Sequence, residues 1–208
     1  MIAKWHRRQR GLLLLLALAL LWGSAGCSNR SRPAAAVPLP NVNGTIAAGE
    51  YQHHYHNDQT GIDLYWTIAG KLIYFGLTST KQGWVALGLD PDGPMMQGSD
   101  ILIGYVKDGQ TYMSDEYSDT PTSHTADTRL GGRDDILEMA GSEGAQGTTL
   151  EFSRKLKTGD EHDKAITPGR HTVLLAYSDA DDITSYHGQG GKLRAIAFID
   201  FFKPKEAK

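Results

Sequence analysis

Apolar and polar residues alternate with a period of two through most of the chain beyond residue 60. In the run "IDLYWTIAG", Ile62, Leu64 and Trp66 fall on one face, as expected for a half-buried strand. In "ILIGYVKDGQTYMSDEY", the dipeptide Asp108-Gly109 predicts a tight hairpin turn. We count about ten such short runs and no long helical pattern, and the 24 glycines suit frequent turns. The sequence therefore predicts an all-β fold, an antiparallel β-sandwich of about ten strands. Residues 135–144 ("DILEMAGSEG") fit either a strand or a short helix, and we favour a strand.

The first 27 residues have the features of an export signal. A basic segment with Lys4, Arg7 and Arg8 precedes the apolar run "GLLLLLALALLW", which is too short to span a bilayer. The segment "GSAGC" then ends at Cys27 and resembles a bacterial lipobox, in which the cysteine is lipidated; the alternative is a plain secretory signal. We expect a lipid-anchored protein of the bacterial cell envelope, on the periplasmic or outer-membrane side. Residues 28–42 form a flexible linker in this interpretation, and residues 43–204 form one domain.

Charge and cysteine content exclude several classes of protein. A net charge of −3 and a pI near 6.2 provide no basic surface, so we expect no nucleic-acid partner. A single cysteine cannot form an intrachain disulfide or attach haem covalently, which requires Cys-x-x-Cys-His. No catalytic motif of the familiar kinds is evident, and we do not expect an enzyme in its own right.

Several motifs occur in the order seen in one known family. They are "GWVALGLD", "MMQGSDILIGYV", "LEFSRKLKTGDEHD" and the late "SYHG". Together they resemble the DOMON domain, the regulatory domain of dopamine β-monooxygenase, which is also similar to the cytochrome domains of some secreted dehydrogenases. The resemblance runs from about residue 65 to residue 198 and implies an immunoglobulin-like β-sandwich.

One branch of this family holds a single b-type haem between its sheets, with a methionine and a late histidine as axial ligands. The resemblance places these ligands at Met96 and His187, with Met95 as the alternative methionine. It therefore implies non-covalent haem b and an electron-transfer module that serves an unidentified redox partner. The other branch lacks the ligands and implies a carbohydrate or small-ligand module, in which Trp66 and Trp84 would be stacking platforms. A copper or redox-sensing site at the two methionines is a further alternative.

The acidic loops form a second group of candidate ligands. Within the family, the positions of Asp100 and Asp135 accompany a structural cation, and Ca²⁺ prefers such oxygen ligands. Alternatively, these carboxylates accept loop amides or pair with Arg133 and Arg154. The segment "TGDEHD" reads as a capped turn in which Asp160 and Asp163 accept backbone N–H groups.

Overall fold

The computed structural model describes residues 38–188 and 193–203, and within them the chain is almost entirely β-structure. The predicted signal peptide with Cys27, most of the predicted linker and residue 204 lie outside the described residues. The strands are β1 (His53–Asn57), β2 (Ile62–Ala69), β3 (Leu72–Ser79), β4 (Val85–Leu89), β5 (Asp100–Lys107), β6 (Gln110–Tyr117), β7 (Thr125–Ala126), β8 (Glu138–Gly144), β9 (Gly147–Lys155), β10 (His171–Tyr177) and β11 (Arg194–Ile199). A single helical turn, α1 (Asp127–Leu130), follows β7.

The strands form two antiparallel sheets, so the predicted β-sandwich is confirmed. The first sheet has the order β1-β2-β3-β9-β8, and the second has the order β11-β10-β4-β5-β6-β7. The ambiguous segment at 135–144 contributes the strand β8, as predicted. Asp108 and Gly109 both have positive φ, 52° and 72°, and join Lys107 to Gln110 in the predicted tight hairpin.

The space between the sheets is filled by a close-packed apolar core. The alternation predicts this core correctly, since β10 shows a regular buried and half-buried pattern and β11 alternates between buried and exposed residues. The side chains with no exposed surface include Ile62, Leu64, Phe75, Leu87, Leu102 and Phe152. Trp66 is also buried there, and its indole N–H donates to the carbonyl of Phe201 over 2.9 Å.

The second sheet carries apolar side chains on its outer face as well. Between the core residues of β4 and β5 lie Ala86, Ile101 and Ile103, which pack together with Trp84 on the face turned away from the core. A sheet that is apolar on both faces needs a cover on its outer side. Among the described residues, no helix is long and apolar enough to cross a membrane.

Candidate functional site

An apolar pocket of about 720 Å³ lies against the outer face of the six-stranded sheet. This volume falls within the range of about 300–1,000 Å³ that is usual for ligand sites. The floor consists of outward-facing residues of β4, β5 and β10 and their neighbours, among them Trp84, Ala86, Ile101, Ile103, Leu174 and Ala176. The loops that follow β4 and β10, the segment between β6 and β7 and the start of β11 form the walls.

The loop after β4 carries the two adjacent methionines, and its backbone directs them differently. The amides of Asp92 and Gly93 both donate to the carbonyl of Gln97, over 2.9 and 3.0 Å, and close the loop. Met95 has a positive φ of 57° and is 55% exposed, whereas Met96 packs on the apolar cluster beneath the pocket. Met96 is therefore the methionine that lies against the sheet, while Met95 lies at the rim, and both contribute to the lining.

His187 lies in the loop after β10 and lines the same pocket as Met96. Its Nδ1 lies 2.8 Å from the carbonyl of Gly188, and since a carbonyl only accepts, Nδ1 carries the proton. The lone pair of the neutral ring is therefore on Nε2. Burial lowers the pKa of His187, with a smaller contribution from the charge of Arg194, so the neutral form predominates at neutral pH. Trp84 packs edge-on against the imidazole at 6.3 Å between ring centroids, and its indole nitrogen donates to the Ser185 hydroxyl over 2.9 Å.

Comparisons with known proteins assign the fold to a family. The family model described as "DOMON domain" matches residues 58–178, more than half of the chain. The chain belongs to the DOMON family. This DOMON domain is 34% identical over 142 residues to human DBH-like monooxygenase protein 1, covering 66% of this chain and 22% of that protein. The mouse protein of the same name is 30% identical over 166 residues, covering 78% of this chain and 26% of its own. The chain thus spans about a quarter of the length of each of these relatives.

A solved structure extends the comparison of fold. The cytochrome b domain of pyranose dehydrogenase from Coprinopsis cinerea aligns with a TM-score of 0.52 and 16% identity, covering 71% of this chain and 80% of that chain. At this identity, the likeness is one of fold.

The position of the pocket differs from what the resemblance implied. The gap between the sheets is filled by packed side chains. The pocket lined by Met96 and His187 lies on the outer face of the six-stranded sheet. The interpretation of Trp66 as a stacking platform is wrong, because its ring is only 1% exposed and belongs to the core. Trp84 does line the pocket.

Polar residues also lie at the edge of the pocket. Arg194 begins β11 and lines the pocket, and its backbone carbonyl accepts a hydrogen bond from the Gln59 side chain over 2.9 Å. His124 also lines the pocket, where its Nδ1 pairs with the carboxylate of Glu116. Arg194 is close to His187 in sequence, whereas His124 lies in the segment between β6 and β7.

A second group of candidate ligands consists of buried acidic residues between the two sheets. Asp100, Asp115 and Asp163 each bring a carboxylate oxygen within 4.8 Å of the others. The fully buried Arg154 donates to Asp100 over 2.7 Å and lies 3.4 Å from Asp163. Burial, together with the charges of Asp100 and Asp163, raises the pKa of Asp115 to about 8. We call these three carboxylates and Arg154 the acidic cluster.

Of the two predicted cation ligands, Asp100 and Asp135, only Asp100 belongs to the acidic cluster. Asp135 contributes its backbone N–H to Asp115 over 2.9 Å, and its carboxylate lies 3.6 Å from Arg133. The pairing with Arg133 and Arg154, which was the alternative interpretation, is therefore present. The calcium site at Asp100 and Asp135 stays a prediction. The prediction that Asp163 caps the "TGDEHD" turn is wrong, because among the described residues no backbone N–H donates to its carboxylate.

Proposed function

We propose that this DOMON domain binds one haem b in the apolar pocket and serves as an electron-transfer module, with Met96 and His187 as axial ligands. The observation that carries the proposal is that these two residues, which belong to loops far apart in sequence, line one apolar pocket. A thioether and an imidazole are both good ligands for haem iron. The cytochrome b domain among the structures of similar fold supports the same assignment.

The residues of the pocket fit the group in three respects. The floor of alanine, isoleucine and tryptophan side chains suits a flat apolar ring. The protonated Nδ1 of His187 leaves the Nε2 lone pair for a metal, and the hydrogen bond to Gly188 fixes the orientation of the ring. Met96 packs on the sheet rather than pointing to solvent. The more exposed Met95 at the rim is the alternative ligand.

The ligand set indicates the kind of chemistry. Bound haem supplies one-electron redox chemistry, and a methionine–histidine pair raises the reduction potential. With Met96 and His187 both holding the iron, the group would carry electrons rather than react with oxygen or peroxide, so we infer electron transfer. Arg194 at the edge of the pocket is suited to a carboxylate, since a guanidinium can bind one with two parallel hydrogen bonds.

We also propose that the domain works outside the cytoplasm on a lipid anchor. This part rests on the sequence of residues 1–27 and on Cys27 alone. A membrane-anchored electron carrier would exchange electrons with a separate redox protein in the cell envelope.

Haem titration of the purified full chain tests the proposed function. We expect one equivalent of haem to bind, with sharp low-spin bands in the absorption spectrum. His187→Ala should abolish these bands, whereas the matched control His124→Ala, at another histidine of the same pocket, should retain them. If the spectrum of His187→Ala equals that of the wild type, the assignment is wrong. If the wild type binds no haem, the small-ligand function becomes the better interpretation, with Trp84 in the pocket wall.

A further inference from the structure

A group of residues beside the acidic cluster, and outside the lining of the apolar pocket, has mixed nitrogen and oxygen donors. Asp127 is the first residue of α1, directly after the edge strand β7, and Asp160 and His162 lie in the loop between β9 and β10. Each of the three brings one ligand atom within 4.8 Å of the others. This group therefore joins the end of one sheet to a loop that leaves the other sheet.

Asp127 has a buried carboxylate without a hydrogen-bond partner among the described residues. Its side chain is only 1% exposed. A buried carboxylate without partners is costly unless a positive charge or a proton neutralises it. Among the described residues, no Lys or Arg side chain forms an ion pair with Asp127, and Arg154 is engaged by Asp100 and Asp163.

Asp160 and His162 have the spacing of two ligands of one ion. Backbone amides of Arg133 and His162 donate to the Asp160 carboxylate over 2.7 and 3.0 Å, which fixes its position. The Nδ1 of His162 lies 3.3 Å from Asp160 Oδ1 and makes no hydrogen bond there. Zinc–ligand bonds of about 2.1 Å in a tetrahedron place neighbouring ligand atoms about 3.4 Å apart.

A glycine leaves space next to these two donors. A Cβ at Gly132 would lie 2.8 Å from both Asp160 Oδ1 and His162 Nδ1. Any side chain at this position would press on the donor atoms, so the absence of one keeps the approach to them open.

We propose that Asp127, Asp160 and His162 bind a divalent transition-metal ion of the Zn²⁺ type. Two carboxylates and a neutral imidazole balance the charge of one divalent ion. An imidazole nitrogen favours zinc and its neighbours over calcium or magnesium, which take oxygen ligands. The ion fastens the β7–α1 junction to the β9–β10 loop, so its role is structural and does not depend on haem.

Zinc titration of the metal-stripped full chain tests the proposal by calorimetry and thermal unfolding. We expect one high-affinity equivalent of Zn²⁺ and a higher unfolding temperature. His162→Gln and Asp127→Asn should each weaken binding by about 10-fold or more, since even changes beside a metal ligand cost that much. Gly132→Ala should also weaken binding, although it keeps all three donors.

A matched control is available at the exposed group in which His54 and His56 both contact Asp63, over 2.7 and 2.8 Å. His54→Gln should leave the high-affinity binding unchanged. The proposal is overturned if wild type and His162→Gln bind Zn²⁺ equally, or if His54→Gln removes the binding. It is also overturned if Ca²⁺ stabilises the protein as strongly as Zn²⁺ and Asp100→Asn abolishes both effects, because the ion would then occupy the acidic cluster.

Discussion

Replacing Arg154 by methionine removes the only guanidinium that the structure describes in contact with Asp100 and Asp163. Arg154 has no exposed surface, and it lies 2.7 Å from Asp100 and 3.4 Å from Asp163. Removing one partner of a buried ion pair costs about 3–5 kcal/mol, because the other charge is left unpaired. For a domain of this size, about 2–4 °C of unfolding temperature corresponds to each kcal/mol, so Arg154→Met should unfold about 6–20 °C lower.

The loss should also depend on pH. The charge of Arg154 lowers the pKa of Asp115 and of Asp163, and without it both carboxylates hold their protons to higher pH. The folded variant then binds more protons than the unfolded chain, whose carboxylates titrate near about pH 4, so its stability falls as pH rises from there. Arg154→Met should therefore be destabilised more at about pH 8 than at about pH 5.

Denaturant titrations of the metal-free protein at these two pH values measure both effects. Arg133→Met is the matched control, since its side chain is 60% exposed and lies 3.6 Å from Asp135 and 4.0 Å from Asp160. An exposed pair contributes about 0–1 kcal/mol, and the control should lose no more than that. If Arg154→Met loses as little as the control, or loses the same amount at both pH values, the account of the acidic cluster is refuted.

Two further substitutions test buried carboxylates with opposite roles. Burial raises the pKa of Asp115 in the folded protein to about 8, whereas in the unfolded chain an aspartate titrates near about pH 4. Between these two pH values the unfolded chain releases this proton more readily than the folded protein, so the free energy of unfolding falls as pH rises. Asp115→Asn should therefore stabilise the metal-free protein at about pH 8, with no gain below about pH 4, in urea titrations; a loss of stability at pH 8 would contradict this. Glu151 is fully buried, accepts the backbone amides of Gly44 and Thr45 over 2.7 and 3.0 Å, and accepts the Tyr51 hydroxyl over 2.8 Å. Glu151→Gln should cost about 1.5–3 kcal/mol in the same assay, and an unchanged midpoint would show that the charge is not needed.

The fold follows from local pattern, but the position of the pocket does not. The period-two alternation in β2, β10 and β11 predicts strands and their buried faces, because one face of each strand meets the core. In "GWVALGLD", both faces are apolar, with Trp84 and Ala86 on one and Val85 and Leu87 on the other. This two-sided run indicates that the outer face of the sheet is apolar as well, which is where the pocket lies.

The site residues differ in how they were found. Met96 and His187 were assigned from the family resemblance, because a loop methionine or histidine carries no signal of its own. The proposed metal site of Asp127, Asp160 and His162 and the acidic cluster both depend on contacts between segments that are distant in sequence. Asp163, for example, looks like a turn cap locally but lies beside Arg154 of β9 in the folded protein. Such a pairing is decided by how the two sheets pack.

The reduction potential of the haem-loaded Met96→His variant tests the central claim most directly. A thioether ligand favours ferrous iron and raises the potential, so exchanging it for a second imidazole should lower the potential while the bands stay low-spin. The rim substitution Met95→Leu should leave the potential unchanged. A potential that is unaffected by Met96→His but shifted by Met95→Leu would contradict the assignment of Met96 as the axial ligand.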